Sequence, residues 1–321
     1  MNGLAGQTSF YPPEPAPDPL LCWLWLAHVL GPASPHAGRV LDTFGGAQEA
    51  WEARDTAEFR QAAGPAAAKR AGQLVPEQFR ALARRCAALR VCILPFDDPD
   101  YPLAFSRIPD MPLVLYCTGD PVWLNEPGAV GIVGSRKPTD YGLQAAADIG
   151  EALARSGALI VSGLADGLDS AGHRAAVKNG CPTIGILGVP IDRTYPAANV
   201  ALRHTIEQNG CILSEYAPGE STPGPVGFLQ RNRLIAALSS ALLVVEAREK
   251  SGTCPPCPTR NGTASRCLRC RAASIPRIRP GPTACCTRAA PAQPAAGPTW
   301  CRRWACRRVP RRKQRSASRT P

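Results

Sequence analysis

The chain contains neither a G-x-G-x-x-G fingerprint nor a G-x-x-x-x-G-K-[ST] loop, so neither a dinucleotide site nor a Walker-type site has sequence support. No apolar run is long enough to cross a bilayer. Leu20 to Leu30 comes nearest, but it falls well short of the roughly 20 residues a span needs and has no basic flank or small-residue cleavage site. A cytoplasmic protein with no membrane partner is expected. Acidic residues are missing from one stretch altogether: the 68 residues Cys254 to Pro321 contain no Asp or Glu. They hold 16 Lys and Arg, so the formal net charge of +12 resides there; residues 1–253 carry 21 basic and 25 acidic side chains, a net of −4.

What is present has a regular order. Ala129 to Val133 is a short apolar run of the buried-strand type, and it ends in Gly134-Ser135-Arg136-Lys137. Gly134 permits a close backbone approach, Ser135 brings a hydroxyl and an N–H, and Arg136 offers a fork that matches phosphate, with Lys137 as a point charge beside it. Beyond Pro138, Thr139 to Arg155 is Ala-rich at helical spacing, so the loop leads into a helix N-terminus that favours anions. The bland alternative is a strand-to-helix turn with solvated cations.

Further strands are predicted at Ala158–Val161, Pro182–Leu187, Cys211–Ser214 and Ala241–Glu246, alternating with helices around His173, from Ala198 to Gln208 and from Arg231 to Leu238. This alternation predicts an α/β fold: a Rossmann-like, doubly wound parallel sheet whose ligands sit at the carboxyl ends of the strands, where each of these glycine-rich turns falls. A small helical domain is expected before it, with helices at Leu20–Leu30, Ala37–Phe44, Ala47–Ala53 and Glu77–Leu89. The predicted organisation is a disordered Pro-rich leader at 1–18, the helical domain at 19–90, the sheet domain at 91–253, and a tail at 254–321.

The motifs Val133-Gly134-Ser135-Arg136, Ser162 to Asp169 with His173, Asp192-Arg193-Thr194-Tyr195-Pro196 with Asn199, Leu213 to Gly219, and Phe228 to Ala236 follow one another in order, after Asp97 to Leu103 and Pro112 to Tyr116. Together they resemble the bacterial DNA-processing protein A (DprA/Smf) family, over Leu21 to Thr253. The resemblance implies a single-stranded DNA-binding protein that protects incoming DNA and assists loading of a RecA-type recombinase during natural transformation, a homodimer in the intact family, and a sterile-alpha-motif-like or helix-hairpin-helix-like helical module. It places DNA contacts at Gly134, Ser135, Arg136, Lys137, Gly163, Phe228, Arg231, Asn232 and Arg233, with the aromatic stacking on a base and the cations holding phosphates. Pro225 stands where a family Lys would precede Phe228, and the turn Gly31 to Pro35 lacks the Gly-x-Gly of a phosphate-binding hairpin.

No catalytic residue, cofactor or metal site is expected. His173, Asp169 and Glu215 lack a nucleophile and orienter; His173 reads as a packing histidine, Asp169 as a helix first-turn carboxylate, and Glu215 and Asp192 as loop-holding groups. Cys22, Cys86, Cys92, Cys117, Cys181 and Cys211 have no ligand spacing and read as buried free thiols. An enzyme alternative, the lysine-decarboxylase-like nucleoside-monophosphate phosphoribohydrolases, needs a Pro-Gly-Gly-x-Gly-Thr loop with a nearby Glu, and the chain has neither.

The tail holds 8 of the 14 Cys and 11 of the 34 Pro and has no apolar periodicity. Its pairs Cys254-x-x-Cys257 and Cys267-x-x-Cys270 have zinc-knuckle spacing, with a short loop between them. A frameshift is the other reading. Codons for Asn261 to Pro276, read one base along with free choice only at wobble positions, permit Arg-Asn-Gly-Ile-Ala-Val-Phe-Ala-Val-Pro-Gly-Ser, which resembles the family's next strand and turn. On this reading the sheet ends at Glu246 with an uncovered edge, the family's dimer is not expected of this chain, and a non-functional product is the third possibility.

Overall fold

A computed structural model describes residues 17–247 and the backbone of a strand at 266–269; the zinc-knuckle and most of the frameshift expectations lie outside the described residues. The chain divides into two compact units, Met1–Thr118 with Gly188–Arg193 and Leu213–Gly224, and Gly119–Leu187 with Thr194–Ile212 and Pro225–Pro321.

The first unit is built around α1 (Pro19–Leu30), whose side chains are apolar almost all round, so the helix is buried rather than laid on a surface. Asp18 caps it by accepting the Leu20 N–H at 2.9 Å, and Arg70 donates to the otherwise orphaned carbonyls of Val29 (2.7 Å) and Leu30 (3.4 Å). Helices α2 (Ala37–Phe44), α3 (Ala47–Glu52), α4 (Ala57–Ala63), α5 (Pro65–Ala71) and α6 (Arg80–Ala88) complete its helical part; α4 and α5 are additional to the helices expected from sequence. Trp25 is the anchor, edge-on to Trp51 at 5.1 Å, stacked on Phe59 at 6.0 Å, with its indole N–H donating to the Leu74 carbonyl at 3.0 Å. An antiparallel pair, β1 (Cys92–Pro95) and β2 (Val114–Gly119), aligns Cys92 with Cys117 and Pro95 with Val114. This unit therefore extends well beyond residue 90.

In the second unit β3 (Ala129–Val133), β4 (Leu159–Ser162) and β5 (Thr183–Ile186) pair in parallel. The chain continues through β6 (Cys211–Ser214), then returns to the other side of β3 with β7 (Ala241–Val244). The order β5-β4-β3-β7 makes the β3/β7 boundary the topological switch point, the crevice where α/β sheets place ligands. Alternation along β3 sets the layers. Ile132 meets Gly150 of α7 (Asp140–Arg155) and Gly172 of α8 (Leu168–Lys178), whereas Gly131 faces Ile235 of α10 (Pro225–Leu238) and Ser239 just after that helix, on the opposite face. Helix α9 (Val200–Asn209) packs against α8. Ile132, Leu153, Ile160, Leu168 and Leu243 form the buried core between the sheet and α7/α8.

Two expectations are corrected. The edge of β7 is covered: β8 (Arg266–Arg269) pairs with it in parallel, Ala241 opposite Arg266 and Val244 opposite Arg269. The reason is that an open strand edge offers backbone donors and acceptors to any extended segment, whatever its side chains. Among the body cysteines, Cys22, Cys86, Cys117 and Cys211 are buried free thiols, but Cys92 is exposed and Cys181 partly so. Cys92 opens β1, the end strand of the sheet, and exposure falls off along that strand from its first residue inward. Among the described residues no helix is long and apolar enough to cross a membrane, and no group of three or more His, Cys, Asp and Glu could hold a metal.

Candidate nucleic-acid interface

The loop after β3 is held in place by distant residues. The Ser135 N–H donates to the Glu246 carbonyl at 2.8 Å, and the Glu246 carboxylate accepts both the Thr139 N–H (3.0 Å) and the Thr139 hydroxyl (2.9 Å). Thr139 in turn caps α7 through its Oγ1, which accepts the Gly142 N–H at 3.1 Å. The Ser135 hydroxyl accepts the Lys137 N–H at 3.1 Å. Arg136 and Lys137 remain exposed at the tip.

Behind this loop lies a buried polar cluster. Asp169, in the first turn of α8, accepts the backbone N–H groups of Ala165, Gly163 and Gly134, and the charge of Arg231 acts on it. Burial nonetheless dominates and raises its carboxyl above the ordinary range, the cation and the three amides pulling the other way. Arg231 is only 4% exposed and donates from one guanidinium nitrogen to the carbonyls of Gly163, at 2.5 Å, and of Ile186. Burial first, and Arg136 further, bring its pKa down to about 10, with Asp169 opposing, so it stays cationic at neutral pH. Gly163 has to be glycine, because a Cβ there would run into the Arg231 guanidinium. His173 is fully buried; the Thr183 hydroxyl donates to the Ile160 carbonyl at 2.7 Å, so at 2.8 Å it can only accept the His173 Nδ1 proton. Burial first, and the charge of Arg231 next, lower the His173 pKa from 6.5 to about 3.

This arrangement changes the expected division of labour. The N–H groups of Gly134, Gly163 and Ser135 are turned inward, to Asp169 and Glu246, so these glycines shape the edge rather than offering amides to an anion. Arg231, expected at a helix start as a phosphate contact, lies inside α10, which begins at Pro225, and bridges two strand ends from within. The legible signal is spacing: Gly227, Arg231, Leu234 and Leu238 fall on one buried helical stripe. Asn232 and Arg233 are half-buried, each engaged in interactions of its own.

At the surface the structure brings together residues far apart in sequence. The Arg136 guanidinium lies over the half-buried Phe228 ring, 4.8 Å from its centroid, and Tyr195, 51% exposed, tilts against the same ring at 5.2 Å. In sequence Tyr195 stands out only as part of a motif; an aromatic beside Pro196 in a loop at the carboxyl edge is the signal that marks it. One cation, a second beside it and two aromatics thus share the carboxyl edge at the switch point, an arrangement suited to phosphate and to a flat apolar ring.

Comparison with known proteins agrees with this architecture. A family model described as DNA recombination-mediator protein A matches residues 92–256. Protein Smf of Synechocystis is 46% identical over 159 residues, 49% of this chain and 40% of that protein. A protein of Mycobacterium tuberculosis named as a DNA processing protein DprA is 35% identical over 242 residues, 72% of this chain and 61% of its own length. The chain thus spans only part of the relatives it matches. The X-ray structure of DNA processing protein A from Streptococcus pneumoniae superposes with a TM-score of 0.62 at 29% identity, covering 73% of this chain and 80% of that one. With a family match over half its length, on the sheet and loops described above, the chain belongs to the DNA recombination-mediator protein A family.

Proposed function

We propose that the carboxyl edge of the second unit binds single-stranded DNA, with Arg136 and Lys137 holding phosphates and Phe228 and Tyr195 offering faces on which bases stack. The observation that carries this reading is the Arg136–Phe228–Tyr195 cluster, in which an exposed cation and two aromatics meet at the switch point of the sheet. Stacking of this kind tolerates any base, so binding is sequence-tolerant and steeply salt-dependent. The Ser135 hydroxyl, Asn232 and Arg233 extend the edge, while Gly134, Gly163 and Arg231 fix its shape from behind. The net charge of −4 on residues 1–253 does not oppose this, since a local basic patch suffices. In the cell the protein would protect incoming single strands in the cytoplasm and assist loading of a RecA-type recombinase, without chemistry of its own. Membership of a family described as recombination mediators supports that role.

The test is Arg136→Ala in the full chain, titrated with oligothymidylate at several salt concentrations. Binding is expected to weaken by about 1–3 kcal/mol, the scale of a charge-assisted contact, with loss of about one unit from the salt slope. Unchanged affinity and slope would remove Arg136 from the interface and with it the reading.

A further inference from the structure

Just beyond β4, two consecutive carbonyls are taken by side chains from the two segments that carry the aromatic pair. The Gly163 carbonyl accepts from Arg231 at 2.5 Å, and Phe228 stands three residues before Arg231 on α10. The Leu164 carbonyl accepts from the side-chain amide of Asn199 at 3.0 Å, and Asn199 stands four residues after Tyr195. Asn199 is only 2% exposed. Its Oδ1 accepts from Arg174 of α8 at 3.4 Å, and its backbone N–H donates to the Pro196 carbonyl at 3.1 Å, closing the turn that follows Tyr195. On the other flank of Tyr195 the Thr194 hydroxyl accepts from Arg203 at 3.3 Å, and Arg203 is paired with Glu207 at 2.8 Å.

Leu164 marks this junction as more than a satisfied carbonyl. Its φ is +54°, in the left-handed region where a bulky residue is an outlier, and among the described residues it is the one non-glycine of the second unit found there. Strain of this kind persists only where the surroundings over-determine the conformation, and it gathers at ligand sites. Here the Leu164 side chain is fully buried, while Arg231 and Asn199 hold successive carbonyls of the same turn. The turn therefore acts as a gauge between the loop of Tyr195 and the first turn of α10, whose rings meet at 5.2 Å and an interplanar angle of 40°.

On the single-stranded DNA reading above, we infer that Asn199 is a positioning residue: through the Leu164 carbonyl it sets the Tyr195 ring against Phe228 and so fixes the face on which a base stacks. Two oligomers of one length separate this role from a structural one, oligothymidylate and an abasic strand with the same phosphates and no bases, each titrated against the full chain. Cations anywhere in the chain act on both alike, so the ratio of the two affinities reports stacking. Tyr195→Ala is expected to lower that ratio about fivefold or more, and Asn199→Ala about threefold or more, with the abasic affinity kept within about twofold of the parent. The double variant should bind oligothymidylate as Tyr195→Ala alone does, because losses are not additive when one residue acts through the other. Asn199→Asp keeps the size of the side chain and loses its donated protons; it is expected to match Asn199→Ala, and it carries the test if the smaller residue prevents folding as judged by circular dichroism. A ratio lowered by Tyr195→Ala but kept by a folded Asn199 variant, additive losses in the double variant, or an equal fall in both affinities would overturn the inference and leave the DNA reading standing. A ratio that Tyr195→Ala leaves unchanged would overturn stacking on Tyr195 and the inference with it.

Discussion

His173 makes acid sensitivity of the second unit a quantitative matter. In the folded chain its imidazole is buried, hydrogen-bonded to Thr183, and has a pKa near 3; in the unfolded chain it returns to about 6.5. The folded-state value is the lower one, so the contribution to stability is fully present above pH 6.5 and is lost as pH falls towards 3, because the unfolded chain takes up a proton that the folded one refuses. Each pH unit in that window is worth about 1.4 kcal/mol per proton, which comes to about 2 kcal/mol between pH 7 and pH 5. The perturbation is His173→Asn, whose amide reaches the same Thr183 oxygen but does not titrate. The variant loses packing and is expected to be about 1–3 kcal/mol less stable at pH 7. Its stability should then fall less than the parent's on going to pH 5, by that same 2 kcal/mol. Urea unfolding followed by circular dichroism at the two pH values measures both, and every other titrating group cancels in the difference. Equal pH dependence in the two proteins would refute the reasoning, since it would mean that the folded chain accommodates a charged imidazole at this position.

Three other outcomes follow from the same region. Arg231→Met leaves Asp169 buried without its cation and is expected to cost about 3–5 kcal/mol in urea unfolding, while Asp169→Asn in the same background should recover part of that loss. Thr139→Ala removes the cap of α7 and one of two bonds to Glu246, at a cost of about 1 kcal/mol by the same measurement, and raises amide exchange at Gly142. Phe228→Ala is expected to weaken oligothymidylate binding by about 1–3 kcal/mol with no change in salt slope, the converse of a lost phosphate contact.

Local pattern was a good guide to the strands. The runs ending at Gly134 and Gly163 form β3 and β4 within a residue of expectation, because short apolar segments followed by glycine turns have few other uses in an alternating chain. Thr139 as a helix start was legible for the same local reason. The interface itself was only half legible. Arg136 and Lys137 stand out as cations in a turn, but the charge of Arg231 points outward while its position on a buried stripe points in. The internal use of the Gly134 amide depends on a carboxylate in α8, Asp169, which no window of sequence around Gly134 contains, although it follows Gly163 closely in the chain. Likewise Tyr195 and Phe228 lie 33 positions apart and meet only because the fold brings the loop of Tyr195 and the first turn of α10 to one edge.

The Gly134–Thr139 loop carries a consequence for the order in which the protein comes into being. Its shape depends on Glu246, which holds Ser135 through its carbonyl and Thr139 through its carboxylate, more than a hundred residues further along. During synthesis, when earlier segments fold while later ones are still in the ribosome, β3, α7 and β4 can assemble without it. The loop cannot settle until β7 has emerged and docked. A nascent chain therefore carries Arg136 and Lys137 on an unset loop while the residues up to Glu246 are added, and the loop reaches its final shape only among the last steps of the domain's assembly.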